Sequence, residues 1–274
     1  MPVIQVFGGN GFVGSEFVKT NPNMIVNKRN NYKVSPNVDE IVYFISTVTN
    51  YNVKTDPYID IDTNLSTMIK VLEQCKDKGI TFNFISSWFV YGDTEMPAKE
   101  TSYCNPTGFY SITKRCAEQL LISYCETFNI DYKILRLANV AGQGDKKASP
   151  QKNALQHMIN ELKAGRDVNV YDGGKLYRDY IHVKDVAAAI NLVIEKGASN
   201  TIYNIGNGKR IFFKDIIGYA KDLIGGDGNL VPIEIPMFHQ KVQVKSMWMN
   251  NDKLKSLGYV PKYDIRQIVE DMVK

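Results

Sequence analysis

Near its start the chain runs Val3-Ile-Gln-Val-Phe7, then directly Gly8-Gly-Asn-Gly-Phe-Val-Gly14, then Ser15-Glu-Phe-Val-Lys19. The first run is β-branched and aromatic, as a buried strand is. Glycines at 8, 11 and 14 suit a tight turn that opens a helix. Strand, glycine turn and helix in that order restrict this region to a parallel α/β unit. A helix N-terminus presents free amides and a positive dipole end, and glycines let a pyrophosphate come close to the backbone. Gly8, Asn10, Gly11, Phe12, Val13 and Gly14 are therefore expected to hold a dinucleotide, with the spacing Gly-x-x-Gly-x-x-Gly.

The first helix stops at Asn21-Pro22, and Met24-Ile-Val26 reads as a second strand ending in Asn27-Lys28-Arg29. A site for NAD usually carries an acidic residue about 20 positions past the first glycines, where it meets the ribose hydroxyls. Apart from Glu16 in the helix, none lies between Gly8 and Asn37. Asn27, Lys28 and Arg29 are the candidates at this place, and the two cations suit a 2′-phosphate. The cofactor expectation is thus NADP or NAD, leaning to NADP; the alternative is two solvated turn cations.

Glu40-Ile-Val-Tyr-Phe-Ile45 follows so soon that little room remains for a helix and strand between, so the sheet should be trimmed here. Asp56-Pro57 opens a long helix predicted to reach about Lys78, with Leu65, Met68, Ile69, Leu72 and Cys75 at helical spacing. Thr81–Ile85 is the next strand, delivering Ser86, Ser87, Trp88 and Phe89 to the edge where open α/β sheets bind ligands. Tyr132–Leu137 is another strand, leading to Asn139. Alternation across residues 1–140 argues for a parallel sheet with right-handed crossovers. The fold class expected is a Rossmann-type doubly wound α/β sheet with a smaller α+β C-terminal part. Residues 1–145, with 176–200 returning, would bind the dinucleotide; residues 146–175 and 201–274 would bind substrate.

Charge is nearly balanced at +4, without a dominant basic cluster, which disfavours nucleic acid and membrane surfaces as partners. The four cysteines lack Cys-x-x-Cys spacing and only three histidines are present, so no metal site is expected. No apolar run approaches the roughly 18 residues of a membrane span, and no secretion signal is evident. A cytoplasmic protein is expected.

The segment Asn105–Asn129 reads as a helix opened by Pro106. Tyr110 and Lys114 share one face of it, one turn apart. A phenol titrates near 10 in water, and a nearby ammonium would draw that value down and make the hydroxyl usable for acid-base chemistry. Tyr-x-x-x-Lys occurs three times among the 16 tyrosines, but Tyr171 precedes a Gly-Gly turn and Tyr180 starts an extended stretch. Only Tyr110 opens a long amphipathic helix.

With the glycine spacing, Asn64, Ser86-Ser87 ahead of Tyr91-Gly92, Tyr110-x-x-x-Lys114, Arg136-Leu-Ala-Asn139-Val, Arg178-Asp-Tyr-Ile-His-Val-x-Asp185-Val and Leu257-Gly-Tyr-x-Pro261, the chain resembles the extended short-chain dehydrogenase/reductase family. These are sugar-nucleotide epimerases, dehydratases and 4-ketoreductases, and the likeness covers nearly the whole length. It implies Tyr110 as the acid-base residue, Lys114 on the nicotinamide ribose, and Ser87 on the reacting oxygen. Asn139 and Arg178 match positions that contact the nucleotide diphosphate, and Lys245 stands where relatives often carry an arginine. Trp88 and Phe89 would flank the sugar.

Similar 4,6-dehydratases carry Thr-Asp-Glu where this chain has Ser87-Trp88-Phe89, which disfavours water elimination. The 3,5-epimerase/4-reductases have a cysteine at the position of Phe89 and a histidine after the Asn139 loop; neither is evident. Hydride transfer at a single sugar carbon, C4, is the expectation, with a nucleotide-diphosphate sugar as ligand; a catalytically silent NAD(P)-binding sensor or scaffold is the alternative. His182 reads as a satisfied structural histidine. Ile112, Cys116, Leu120 and Tyr124 form a second apolar stripe, and relatives dimerise through these helices, so a homodimer through helices 57–78 and 106–129 is expected.

Overall fold

The computed structural model describes residues 2–145, 148–242 and 246–274. The first half supplies β1 (Ile4–Phe7), α1 (Phe12–Lys19), β2 (Ile25–Val26), β3 (Glu40–Tyr43), α2 (Tyr58–Ile61) and α3 (Thr67–Leu72). Then come β4 (Thr81–Ser87), α4 (Phe109–Thr127), β5 (Tyr132–Leu137), β6 (Asn139–Ala141), α5 (Ala154–Lys163), β7 (Val168–Tyr171), β8 (Tyr177–Arg178) and β9 (Tyr180–His182). The remainder is α6 (Val183–Lys196), β10 (Thr201–Ile205), β11 (Ile211–Phe212), α7 (Phe213–Ile224), β12 (Leu230–Ile233), α8 (Met237–Val242), α9 (Asp252–Ser256) and α10 (Ile265–Val273).

Six strands form one parallel sheet in the order β10-β5-β4-β3-β1-β2. All six residues of β5 are buried, as a strand covered on both faces requires. One face carries α1 and α6, packing Phe17, Val186 and Ile190 onto Val6, Val42 and Leu135. The other carries α3 and α4, where Met68, Leu72, Ala117 and Leu121 meet Ile41, Phe82 and Ile134. A third core joins α5, α7 and α10 with β7.

The trimmed edge is present: β2 is two residues long, ends the sheet, and is followed by loop rather than a helix and strand. From β1 the chain steps outward to β2 and then crosses to the other side for β3. The carboxyl ends of β1 and β3 thus flank a topological switch point, where such sheets bind ligands.

Two expectations are corrected. The helix predicted from Asp56 to Lys78 is segmented, with a π turn over Asp62–Ser66 between α2 and α3, because the Asn64 side chain is drawn inward to hydrogen-bond Thr47 and Thr113. Residues 201–205, assigned to the smaller part, form β10 and pair with β5 in the main sheet, since Tyr203 and Ile205 bury in its core. No helix among the described residues is long and apolar enough to cross a membrane.

Candidate active site

The turn after β1 has the shape its glycines demand. Gly8 has φ +81°, a region that side chains avoid, and a Cβ there would stand 3.0 Å from the Ile45 amide nitrogen. A Cβ on Gly14 would stand 2.5 Å from the Gly8 carbonyl oxygen, which itself accepts from the Gly11 amide at 3.1 Å. Gly11 caps α1 without any side-chain bond to the first-turn amides, and no acidic residue lies in that turn. Those donors are therefore left for an anion, and the turn fits the diphosphate of a dinucleotide. Gly8, Gly11, Phe12, Val13 and Gly14 line a cleft of about 750 Å³.

Ser87, Trp88, Phe89, Tyr110, Lys114, Asn139 and Arg178 line the same cleft. β4 ends at Ser87, whose Oγ caps the following short helix by accepting from the Phe89 amide at 3.3 Å. Tyr110 stands in the first turn of α4, almost fully buried, and shares the cleft with Ser87 and Ser46. The Tyr110 and Phe89 rings meet edge to face with centroids 5.8 Å apart, and Phe89 stacks on Trp88 at 4.1 Å.

The expected electrostatics of the tyrosine-lysine pair are corrected by the geometry. Burial pushes the Tyr110 phenol up to about 12, against the Ser87 and Ser46 hydroxyls that favour its ionised form, and the Asp60 carboxylate adds to the rise. Lys114 does not offset this: its Nζ donates to the Ile85 carbonyl at 2.8 Å and sits 4.1 Å over the Phe84 ring. Burial brings its ammonium down to about 7, with the charge of Glu118 acting the other way.

Behind the site, Glu118 lies one further turn along α4 and receives a two-pronged hydrogen bond from Arg136, Nε at 3.0 Å and NH2 at 2.7 Å. Ser86 donates to the same carboxylate at 2.6 Å. Ser86 is thus occupied with α4, while the Ser87 hydroxyl accepts from the Phe89 amide and lines the cleft with Tyr110.

Arg178 is held over the Trp88 ring at 5.4 Å and donates to the Tyr177 carbonyl at 2.9 Å; Asn139 Nδ2 donates to the Asp179 carbonyl at 3.1 Å. The described lining does not include Asn10, Asn27, Lys28 or Arg29. Asn27 is buried and donates to the Asn31 and Lys33 carbonyls, a loop-fixing task, whereas Lys28 and Arg29 are exposed at the end of β2. Lys245 lies outside the described residues. His182 is fully buried between Asp271, 3.0 Å from Nε2, and the Lys184 amide, and stacks on Tyr263.

Sequence reasoning missed Ser46 and Thr47, which line the cleft from the loop after β3, and His239, which enters it from α8. The position of Ser46 just past a buried strand run was the available signal, since residues there fall at the ligand edge of the sheet.

A Methanocaldococcus jannaschii protein, provisionally named as a UDP-glucose 4-epimerase, is 26% identical, covering 99% of this chain and 97% of its own. The structure of UDP-glucose 4-epimerase from Thermotoga maritima superposes with a TM-score of 0.87 at 22% identity, covering 98% of this chain and 97% of that one. RMD from Pseudomonas aeruginosa, solved with NADPH, gives a TM-score of 0.85 at 20% identity over 100% of this chain and 98% of that one. The model of the NAD dependent epimerase/dehydratase family matches residues 24–206, and with the glycine turn and the Tyr110 cleft in place the chain belongs to that family.

Proposed function

We propose that the chain is an NAD(P)-dependent sugar-nucleotide enzyme that moves hydride at a single sugar carbon, C4, as a 4-epimerase or a 4-ketoreductase. The carrying observation is that Tyr110, Lys114 and Ser87 line one cleft with the glycine turn. Nicotinamide, when bound, supplies the hydride acceptor or donor. Ser87 and Tyr110 together grip one sugar oxygen; Tyr110 takes the alcohol proton as the phenolate when the sugar is oxidised and, as the phenol so formed, returns it on reduction. Lys114 is the residue for the nicotinamide ribose. Arg178 and Asn139 serve the sugar-nucleotide diphosphate, a geometry that a guanidinium suits. Phe89 and Trp88 close the apolar wall and exclude water. No carboxylic acid stands at Trp88 or Phe89 to eliminate water, which disfavours the dehydratase reading.

Tyr110→Phe should lower turnover by at least about a hundredfold while leaving cofactor affinity nearly unchanged. Persistent turnover would reject the assignment. Unconsumed, tightly held NAD would mark the epimerase, and stoichiometric loss of NADPH with a 4-keto sugar the ketoreductase. A chain that binds dinucleotide but turns over no nucleotide sugar would be the sensor or scaffold.

For the cofactor we infer a preference for NADP, supported by exposed Lys28 and Arg29 at the end of β2 with no acid beside them. An Arg29→Ala variant that binds NADP as tightly as the unaltered chain would reject it. Exposure of Ile112 and Leu120 on the outer face of α4 supports a homodimer through that helix. Light scattering that gives a monomer at micromolar concentration rejects this assembly.

A further inference from the structure

His239 on α8 lines the cleft and has no task in the reading above. It is 8% exposed, and its ring lies edge to face with Tyr171, centroids 5.1 Å apart, and with Tyr51 at 5.5 Å. Tyr51 belongs to the loop after β3, and its hydroxyl shares a hydrogen bond with His239 Nε2. His239 Nδ1 is shut from solvent and has no hydrogen-bond partner among the described residues. A buried polar atom left in this way costs free energy until something meets it. A neutral imidazole carries one ring proton, so two arrangements are open. With the proton on Nε2, the Tyr51 oxygen accepts it, and both the phenol proton and Nδ1 are left without a protein partner. With the phenol donating to Nε2, the ring proton sits on Nδ1 and that N–H alone is unmet. The second arrangement strands fewer groups. Burial, with the Lys54 charge, lowers the ring's pKa and keeps it neutral.

The far end of α8 is tied to the start of α4. Asn50, beside Tyr51, donates from Nδ2 to the Val242 carbonyl, 3.3 Å away. Gly108 caps α4 two residues before Tyr110, and a Cβ there would collide with Asn50 Oδ1 and stand 2.7 Å from the Val242 carbonyl oxygen. α8 is thus pressed against the end of the helix that carries the acid-base residue, which favours the sugar over the nucleotide as the part of a ligand that His239 meets. We propose that His239 is a specificity-determining residue, its Nδ1–H donating a hydrogen bond to an oxygen of the bound sugar, and that Tyr51 is the positioning residue that fixes its ring and its proton. This deepens the hydride-transfer reading above and rests on it. A neutral donor suits a hydroxyl or carbonyl oxygen, and the charged Arg178 is left to the diphosphate. A sugar without an oxygen at that place would leave the N–H buried and unmet, which is how a polar site rejects the wrong ligand.

The test is calorimetry on the full chain with whichever of UDP-, dTDP-, CDP- or GDP-glucose binds tightest, and with the matching nucleoside diphosphate as a control that lacks the sugar. His239→Leu should weaken the nucleotide sugar about tenfold and leave the affinities for the nucleoside diphosphate and for NAD(P) unchanged. An asparagine amide falls near the place of Nδ1, and a glutamine amide near that of Nε2. His239→Asn should therefore keep most of the affinity and His239→Gln should not; a histidine that merely tied α8 to Tyr51 would give the reverse. Tyr51→Phe should weaken the nucleotide sugar in the same sense. The chain has three histidines, so nitrogen-labelled histidine spectra can place the ring proton, with His239 assigned by loss of its signal in His239→Asn. A proton on Nε2, equal losses for the nucleotide sugar and the diphosphate, rescue by glutamine in place of asparagine, or unchanged binding in His239→Leu overturns the proposal. Sugar binding that depends on His239 in a chain without turnover would instead reject the hydride-transfer reading and leave the contact standing. Binding of none of these nucleotide sugars would reject both.

Discussion

Lys114 spends its Nζ hydrogen bond on the carbonyl of Ile85, 2.8 Å away on the strand beneath its own helix. A side chain read as the electrostatic partner of Tyr110 is therefore anchored to β4, in surroundings that favour its uncharged form. Its folded-state value of about 7 lies well below the roughly 10.4 of an exposed lysine.

A depressed lysine has a defined sign. Above about pH 10 it is neutral in both states and costs nothing; between about 10 and 7 only the unfolded chain binds the proton, so stability falls as pH falls; below 7 the penalty is constant. Lys114→Met should therefore be more stable than the unaltered chain by up to about 4 kcal/mol at neutral pH, less what the lost hydrogen bond to Ile85 contributed, and by much less near pH 10. Urea unfolding of both proteins at the two pH values checks this, and a difference that does not depend on pH would refute it.

Gly14 and Gly11 separate fold from binding. A methyl on Gly14 would meet the Gly8 carbonyl at 2.5 Å, whereas one on Gly11 meets that same oxygen at an ordinary 3.4 Å. Gly14→Ala should cost about 1–3 kcal/mol of stability as well as dinucleotide affinity. Gly11→Ala should keep the stability and lose affinity, as calorimetric binding and thermal unfolding would reveal.

Glu118 and Arg136 are a buried charge pair, 0% and 1% exposed. Burial acts to raise the Glu118 carboxyl, but the Arg136 hydrogen bonds and charge, with those from Ser86 and Arg115, hold it below its usual range. Glu118→Leu alone strands the guanidinium and should cost about 3–5 kcal/mol. Adding Arg136→Met should recover most of that loss in chemical denaturation.

Trp88 and Phe89 divide the work expected of them jointly. Trp88 is 3% exposed in the main core, while Phe89 is half-buried and faces the Tyr110 ring. Trp88→Ala should cost about 3–5 kcal/mol of stability. Phe89→Ala should instead lower kcat with a smaller stability loss, a split that parallel unfolding and steady-state kinetics would measure.

The sequence by itself determined the glycine turn, the trimmed sheet edge, the tyrosine helix and the strand that carries Ser87, because each rests on local periodicity and on residues with few conformational options. The choice of Tyr110 over Tyr171 and Tyr180 was also local: β7 ends at Tyr171 before a tight turn, and Tyr180 lies in β9. Tertiary structure decided what depended on burial and long-range partners. It turned Lys114 to Ile85, made Asn27 a loop anchor, left Lys28 and Arg29 exposed, and brought β10 into the main sheet. It also joined Ser46, Thr47 and Asp60 to the Tyr110 helix through Asn64. Hydrogen-bond direction and desolvation are set by neighbours remote in the chain, and no spacing of residues encodes them.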